Sequence, residues 1–213
     1  MTRRTNTSEK WTAKGKAMRD RIVETGAELA SRRGANATSL DEVRQQAGAS
    51  KSQLYHYFAD RDDFLREIVA FQGVQVIAAQ HPELGRIATM ESLRNWRDKV
   101  AAFAETHGRS GGCPLGSFAN ELALQGADMR AAFIEGFDAW ATELERGFAA
   151  MRAHGALAPG ADPKQLAALF LSAIQGGLLF AKLEGSTKKL VQSLDQLIDM
   201  LERDRNAFDG GPT

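Results

Sequence analysis

Apolar residues recur along the chain at spacings of three and four, and no segment alternates apolar and polar residues as a strand does. Phe133, Phe137, Trp140, Leu144 and Phe148, for example, form one continuous stripe of helical period. The pattern predicts an all-α protein of about nine helices. Capping residues, glycines and prolines place them near residues 16–33, 39–48, 51–58, 60–81, 90–107, 114–125, 128–154, 163–184 and 187–206.

The chain divides into parts that differ in charge. Residues 1–60 hold 11 Lys and Arg against 7 Asp and Glu, whereas the whole chain has no net charge. We interpret 1–15 as a flexible basic arm, 16–66 as a small three-helix domain and 67–213 as a larger helical domain. Because residues 1–60 are basic and the rest of the chain is acidic, we expect only the N-terminal part to bind a polyanion.

Composition excludes several classes of protein. With 43% hydrophobic and 25% charged residues, the chain is globular rather than disordered. One cysteine forms no internal disulfide, and with four scattered histidines it builds no zinc site. The longest apolar stretches are shorter than a bilayer span, and no signal peptide is visible. We therefore expect a cytoplasmic protein without metal, cofactor or membrane contact.

The most informative segment is SLDEVRQQAGASKSQLYHYF, in which a glycine turn separates two short helices. This is the pattern of a helix-turn-helix. Leu54 and Phe58 would be buried, and the second helix surrounds them with groups that can reach base edges and phosphates in a major groove. These are Lys51, Ser52, Gln53, Tyr55, His56 and Tyr57. The alternative is a solvated helix face.

With its flanks, SRRGANATSLDEVRQQAGASKSQLYHYFADRDDFLREIV, this region resembles the DNA-binding domain of TetR-family transcriptional regulators over about residues 16–70. The likeness includes the glycine after the first helix, the Thr-Ser cap, the LYHYF sequence and a basic residue, Arg61, before the fourth helix. Ala35 departs from it, because the family commonly has an aromatic residue there. The resemblance implies that bases are read by Lys51, Ser52, Gln53 and Tyr55. Phosphates would be held by Ser39, His56, Tyr57 and Arg61.

The resemblance also implies a homodimeric repressor that binds double-stranded DNA at a palindromic operator, with the two reading helices about 34 Å apart. Activation is the alternative, because the sequence does not reveal promoter position. The dimer would form through the last two helices, although part of this set must be core within one chain. The predicted contact residues are Leu166, Leu169, Phe170, Ala173, Ile174, Gly177, Leu178, Leu190, Leu194, Leu197, Ile198 and Leu201.

An effector cavity could lie among the middle helices, lined by aromatic side chains, although aromatic stripes at helical spacing are more often simple core. The candidates are Trp96, Phe103, Phe118, Phe133, Phe137, Trp140 and Phe180. A second candidate is Cys113, which lies beside Pro114 at a predicted helix start, where the helix dipole favours the thiolate. The alternative for Cys113 is a small buried capping residue.

The segment GGCPLGSFANELA is similar to one in the TetR branch that includes the NemR-type and LmrA/YxaF-like regulators. In NemR-type proteins the cysteine senses electrophiles and oxidants with a lysine on a later helix, and the matching position here is Lys182. The LmrA/YxaF-like members respond to noncovalent ligands instead. The resemblance therefore implies release from DNA by an unknown small molecule or by modification of Cys113.

An enzyme is the competing class of function, with Cys113 and His107 or His154 as a thiol hydrolase. No third, orienting group stands at a recognisable spacing, so we assign no catalytic residue. The glycine-rich GRSGGCPLGS is not a phosphate-binding loop either, because it lacks the Lys-Ser/Thr ending.

Overall fold

The computed structural model describes residues 11–108 and 112–209, and all regular secondary structure in these two stretches is helical. The predicted all-α class with about nine helices is confirmed. The helices are α1 (Ala13–Arg33), α2 (Leu40–Ala47), α3 (Lys51–Tyr57), α4 (Arg61–Ala78), α5 (Met90–Phe103), α6 (Pro114–Leu122), α7 (Ala127–Ala153), α8 (Pro163–Glu184) and α9 (Lys188–Asp209).

The first helix begins earlier than the sequence predicted. α1 starts at Ala13, because the Thr12 side chain accepts a hydrogen bond from the N–H of Gly15 and caps the helix. Lys14, predicted to belong to the arm, is therefore helical. The other basic residues of the predicted arm, Arg3, Arg4 and Lys10, lie outside the described residues.

Helices α1 to α4 form a compact N-terminal unit. Ser39 and Ser50 cap α2 and α3 by accepting backbone N–H groups three residues on. Between these helices the chain turns at Gly48, whose φ of 67° is strained for any residue with a side chain. Leu54 and Phe58 are buried, so the opposite face of α3 is directed outward.

Helix α4 belongs to both halves of the molecule. Near its start it packs on α1, and farther along it packs on α6 and α7. Phe64 and Leu65 are buried in the first region and Val76 in the second. One continuous helix therefore contacts both halves of the molecule.

The larger half is built from α5 to α9. α5 ends at Phe103 and continues as a π-helical turn (Ala104–Gly108), so its α-helical part is shorter than predicted. α8 packs between α7 and α9. At the crossing of α8 and α9, a Cβ on Gly177 would lie 2.7 Å from Cα of Leu190, so only glycine allows this approach.

Helix α8 differs from the sequence prediction in one respect. By length and composition it could span a membrane, although the apolar stretches of the chain were predicted to be too short for that, and no other helix of the described residues has this property. Moreover, nine of the twelve residues predicted for the dimer interface on α8 and α9 are buried within this subunit and belong to its core. They are Leu166, Phe170, Ile174, Gly177, Leu178, Leu190, Leu194, Ile198 and Leu201.

Candidate DNA interface and effector site

The outer face of α3 carries most of the predicted DNA-reading residues. Lys51, Ser52 and His56 are exposed, and the Tyr55 side chain is 57% exposed. Because α3 is anchored by Leu54 and Phe58 on its inner side, these groups project from a fixed helix. The arrangement suits insertion into a major groove, which admits a helix and presents hydrogen-bonding base edges.

Two predicted DNA contacts also act as helix caps. Oε1 of Gln53 accepts the backbone N–H of Ser50 at 2.8 Å, and Oγ of Ser50 accepts the N–H of Gln53 at 3.1 Å. This reciprocal pair is a capping box at the start of α3. Ser39 likewise accepts the N–H of Glu42 at the start of α2. Replacing either residue would therefore change helix stability as well as any DNA contact.

Tyr57 is half-buried beside Trp11, a residue that no sequence pattern singled out. The Trp11 ring lies edge-on to Tyr57 with centroids 5.4 Å apart, and the guanidinium of Arg19 lies 5.2 Å from the Trp11 centroid. Trp11 precedes the periodic pattern of α1, so no helical spacing marked it. The cluster fixes the start of α1 against the end of α3.

Arg61 also has a structural partner. Its Nη2 donates to the carbonyl oxygens of Ala35 at 3.0 Å and Asn36 at 3.4 Å. The start of α4 is thereby tied to the loop between α1 and α2. Ala35 is fully buried there, so the small side chain that departs from the family pattern is packed.

Cys113 is the N-cap residue of α6 and is only 6% exposed. Its Sγ accepts the N–H of Gly116 at 3.4 Å, as expected at a helix start. Burial nevertheless raises the pKa of the thiol, and it outweighs the opposing contributions from Gly116 and the Gln175 side chain. The helix start favours the thiolate, as expected, but burial has the larger effect on the pKa, and the position matches the alternative of a small buried capping residue.

Two spaces meet at Cys113. On the inner side is a cavity of about 20 Å³, and on the outer side is an open groove of about 570 Å³. The structure brings Cys113 and Lys182 to the same groove, where Lys182 is exposed. Arg109, a basic residue four positions before Cys113 in the sequence, lies outside the described residues.

The predicted aromatic set does not form one pocket. Phe103 and Trp140 line the inner cavity, and Phe137 lines the outer groove. Trp96 and Phe133 are buried core residues that line neither space, and Phe118 is buried at a third space, which it lines together with Ser117 and Lys182. Phe180, also predicted for the cavity, is exposed and lies beneath the ammonium of Lys189.

Helix α6 connects this region to the N-terminal unit. Near the end of α6, Oε2 of Glu121 accepts the backbone N–H of Asn36 at 3.1 Å. The Gln125 side chain, just after α6, donates to Oδ1 of Asn36 at 2.9 Å. Sequence patterns could not show these contacts, because the partners are more than 80 residues apart. Cys113 and the loop before the helix-turn-helix thus lie at opposite ends of one short helix.

Comparison with known proteins identifies the family. Residues 22–68 match the model described as bacterial regulatory proteins of the tetR family, and residues 89–197 match the one described as a tetracyclin repressor-like C-terminal domain. The chain belongs to the TetR family. It is a transcriptional regulator, so the alternative of a thiol-dependent enzyme is wrong.

Individual relatives support this assignment. The transcriptional regulator AcuR of Cereibacter sphaeroides is 29% identical over 165 residues, covering 76% of this chain and 75% of AcuR. The repressor NemR of Escherichia coli K12 is 26% identical over 187 residues, covering 83% and 89%. The reduced form of E. coli NemR superposes with a TM-score of 0.77 at 22% identity, covering 87% of this chain and 98% of that structure. At that identity the superposition shows a shared fold.

Proposed function

We propose that this TetR-family regulator is a homodimeric repressor that binds a palindromic operator through α3 and leaves it when the region around Cys113 is occupied or modified. The observation that carries the proposal is the anchored α3, with Lys51, Ser52 and Tyr55 on its outer face. The names of two relatives, the repressors NemR and DhaR, favour repression. Such a regulator acts in the cytoplasm, where the chromosome lies.

The proposed dimer contact is the outward face of α8. Leu169, Gly176, Leu179 and Leu183 are exposed and recur at spacings of three, four and seven, so they form one apolar face. This face explains why a helix apolar enough to span a membrane has so much surface outside the subunit core. A second copy would bury the two faces against each other and pair the two α3 helices.

Release would operate through two connected helices. The inner cavity is walled by Val76 of α4 and by Cys113 at the start of α6. Occupation of this space would displace α4, which continues into the N-terminal unit, and α6, which holds Asn36 through Glu121. An effector needs only a few kcal/mol of preference for the displaced state to reduce operator affinity strongly.

The dimer is tested with two exposed leucines. Leu183 is 70% exposed on the proposed contact face of α8, and Leu124 is 93% exposed just after α6. We expect Leu183→Glu to shift sedimentation to the monomer and to abolish binding to an operator selected from random-sequence duplexes. Leu124→Glu should remain dimeric and bind normally. A Leu183→Glu protein that stays dimeric would reject the proposed face.

Modification of Cys113 is tested with N-ethylmaleimide as the probe. The reagent should release the wild-type protein from the selected operator, and Cys113→Ser should stay bound, because the chain has no other cysteine. Fluorescence anisotropy of the labelled operator measures how much of it each of the two proteins releases. Equal release of Cys113→Ser would show that the response does not pass through this thiol.

A further inference from the structure

Trp140 contains a buried donor without an acceptor. Its side chain is 2% exposed, and its indole N–H has no hydrogen-bond partner among the residues that the structure describes. Trp96, in the same half of the molecule, provides a contrast, because its indole N–H donates to Oε1 of Gln80 at 3.0 Å. Buried donors are nearly always paired, so an unpaired one requires an explanation.

Trp140 lines the inner cavity together with Cys113, and the remaining walls are almost entirely apolar. Val76, Val100 and Ile174 supply aliphatic surface from three different helices. Among the side chains that the structure describes, no charged one lines this space. Transfer of an ion into such surroundings is strongly unfavourable, so the cavity suits an uncharged, mainly apolar molecule.

The Trp140 N–H differs from the Gln80 amide on the same wall, because it makes no hydrogen bond at all. Each end of the Gln80 amide makes one, since its Nε2 donates to the carbonyl of Val76 at 2.8 Å and its Oε1 accepts from Trp96. The Cys113 thiol is only a weak donor and acceptor. A molecule with an apolar body and one acceptor would pair the Trp140 N–H and suit the apolar walls.

We propose that the effector is a compact, uncharged molecule with one hydrogen-bond acceptor, such as a ketone, which binds beside Cys113 and accepts the indole N–H of Trp140. The inference rests on the proposed function and defines the chemical class of its effector. Because the cavity has a volume of only about 20 Å³, the molecule must widen it. The walls that move include Val76 of α4 and Pro114 of α6, the two helices that reach the N-terminal unit.

The test compares three five-membered rings as probes: cyclopentanone, methylenecyclopentane and cyclopentanecarboxylate. The second replaces the ketone oxygen by a CH₂ group, and the third carries a charge. We expect cyclopentanone to bind most tightly by calorimetry and to shift the ¹⁵N–¹H resonance of the Trp140 indole. That resonance is assigned in the wild-type protein by elimination, because Trp11→Phe and Trp96→Phe identify the other two tryptophans.

Trp140→Phe should weaken cyclopentanone binding by about fivefold, the size of one net hydrogen bond, and leave methylenecyclopentane binding unchanged. Trp96→Phe is the matched control and should retain the preference for the ketone. Equal affinity of the wild-type protein for ketone and alkene, or an unshifted Trp140 resonance, would overturn the inference. Operator binding of the same samples separates the effector hypothesis from the proposed function. If the protein binds its operator but does not respond to the ketone, only the proposed class of effector is rejected.

Discussion

The two adjacent glycines of α8 face different neighbours, and this predicts opposite effects of the same substitution. A Cβ on Gly177 would lie 2.7 Å from Cα and 2.8 Å from Cβ of Leu190, whereas a Cβ on Gly176 would meet nothing within 4 Å in the subunit. At either position, alanine stabilises the helix by about 1 kcal/mol relative to glycine through its higher helix propensity. At Gly177 the added methyl group meets backbone, which no rotamer change relieves, and such overpacking costs about 1–3 kcal/mol.

Because the gain in propensity is common to both variants, the difference in their free energies of unfolding measures the clash. We expect Gly177→Ala to be less stable than Gly176→Ala by about 1–3 kcal/mol. For a chain of this size each kcal/mol corresponds to about 2–4 °C in Tm. Urea unfolding followed by circular dichroism gives the free energies.

The urea measurement is repeated at a tenfold lower protein concentration, so that an effect of Gly176→Ala on dimer formation is recognised by its concentration dependence. The difference in free energy of unfolding between the two variants should be the same at both concentrations, because the clash lies within one subunit. Equal stability of the two variants, or a more stable Gly177→Ala, would refute the packing of α8 on α9 described here.

Three further predictions concern the site. Alkylation of Cys113 by iodoacetamide should be slower at neutral pH in the native than in the urea-unfolded protein, because burial raises the thiol pKa and the thiolate is the nucleophile. The native rate should also keep rising beyond the pH at which the rate of the unfolded protein levels off. Identical pH profiles would contradict this. Glu121→Ala should weaken operator binding by about fivefold, because the hydrogen bond to Asn36 is lost. Glu135→Ala, at an exposed position, serves as the control in the same anisotropy assay. An unchanged affinity of Glu121→Ala would show that α6 does not couple the region around Cys113 to the N-terminal unit. Trp11→Ala should lower the stability of the N-terminal unit by about 0.5–1.5 kcal/mol without changing which operator is selected; a changed operator would assign Trp11 to DNA reading.

Local sequence signals predicted the helices well because helix formation depends on nearby residues. The capping serines, Gly48 and Pro114 lie within a few residues of the ends that they define. The exposed face of α3 followed from the same local reasoning, since the positions of Leu54 and Phe58 fix which side is buried. Whether its outer residues contact DNA stays a prediction.

The errors arose where distant contacts decide the outcome. α8 is apolar on nearly every side, so periodicity could not distinguish Phe170, which packs on α5 and α7, from Leu169, which faces outward. For Cys113 the sequence left a reactive thiolate and a buried capping residue as alternatives, and only the tertiary packing shows the burial that raises the pKa. The coupling through Glu121 depends on a loop some 85 residues away and leaves no sequence pattern.

Selection of binding sites from random-sequence duplex DNA tests most directly whether α3 reads the operator as one of a symmetric pair. The wild-type protein should enrich an inverted repeat with half-sites about one DNA turn, or a multiple of it, apart. The variant combining Lys51→Ala and Tyr55→Ala leaves the capping pair intact and should stay helical by circular dichroism but lose that enrichment. Enrichment of the same inverted repeat by the variant, or of no repeat by the wild-type protein, would contradict the assignment of α3.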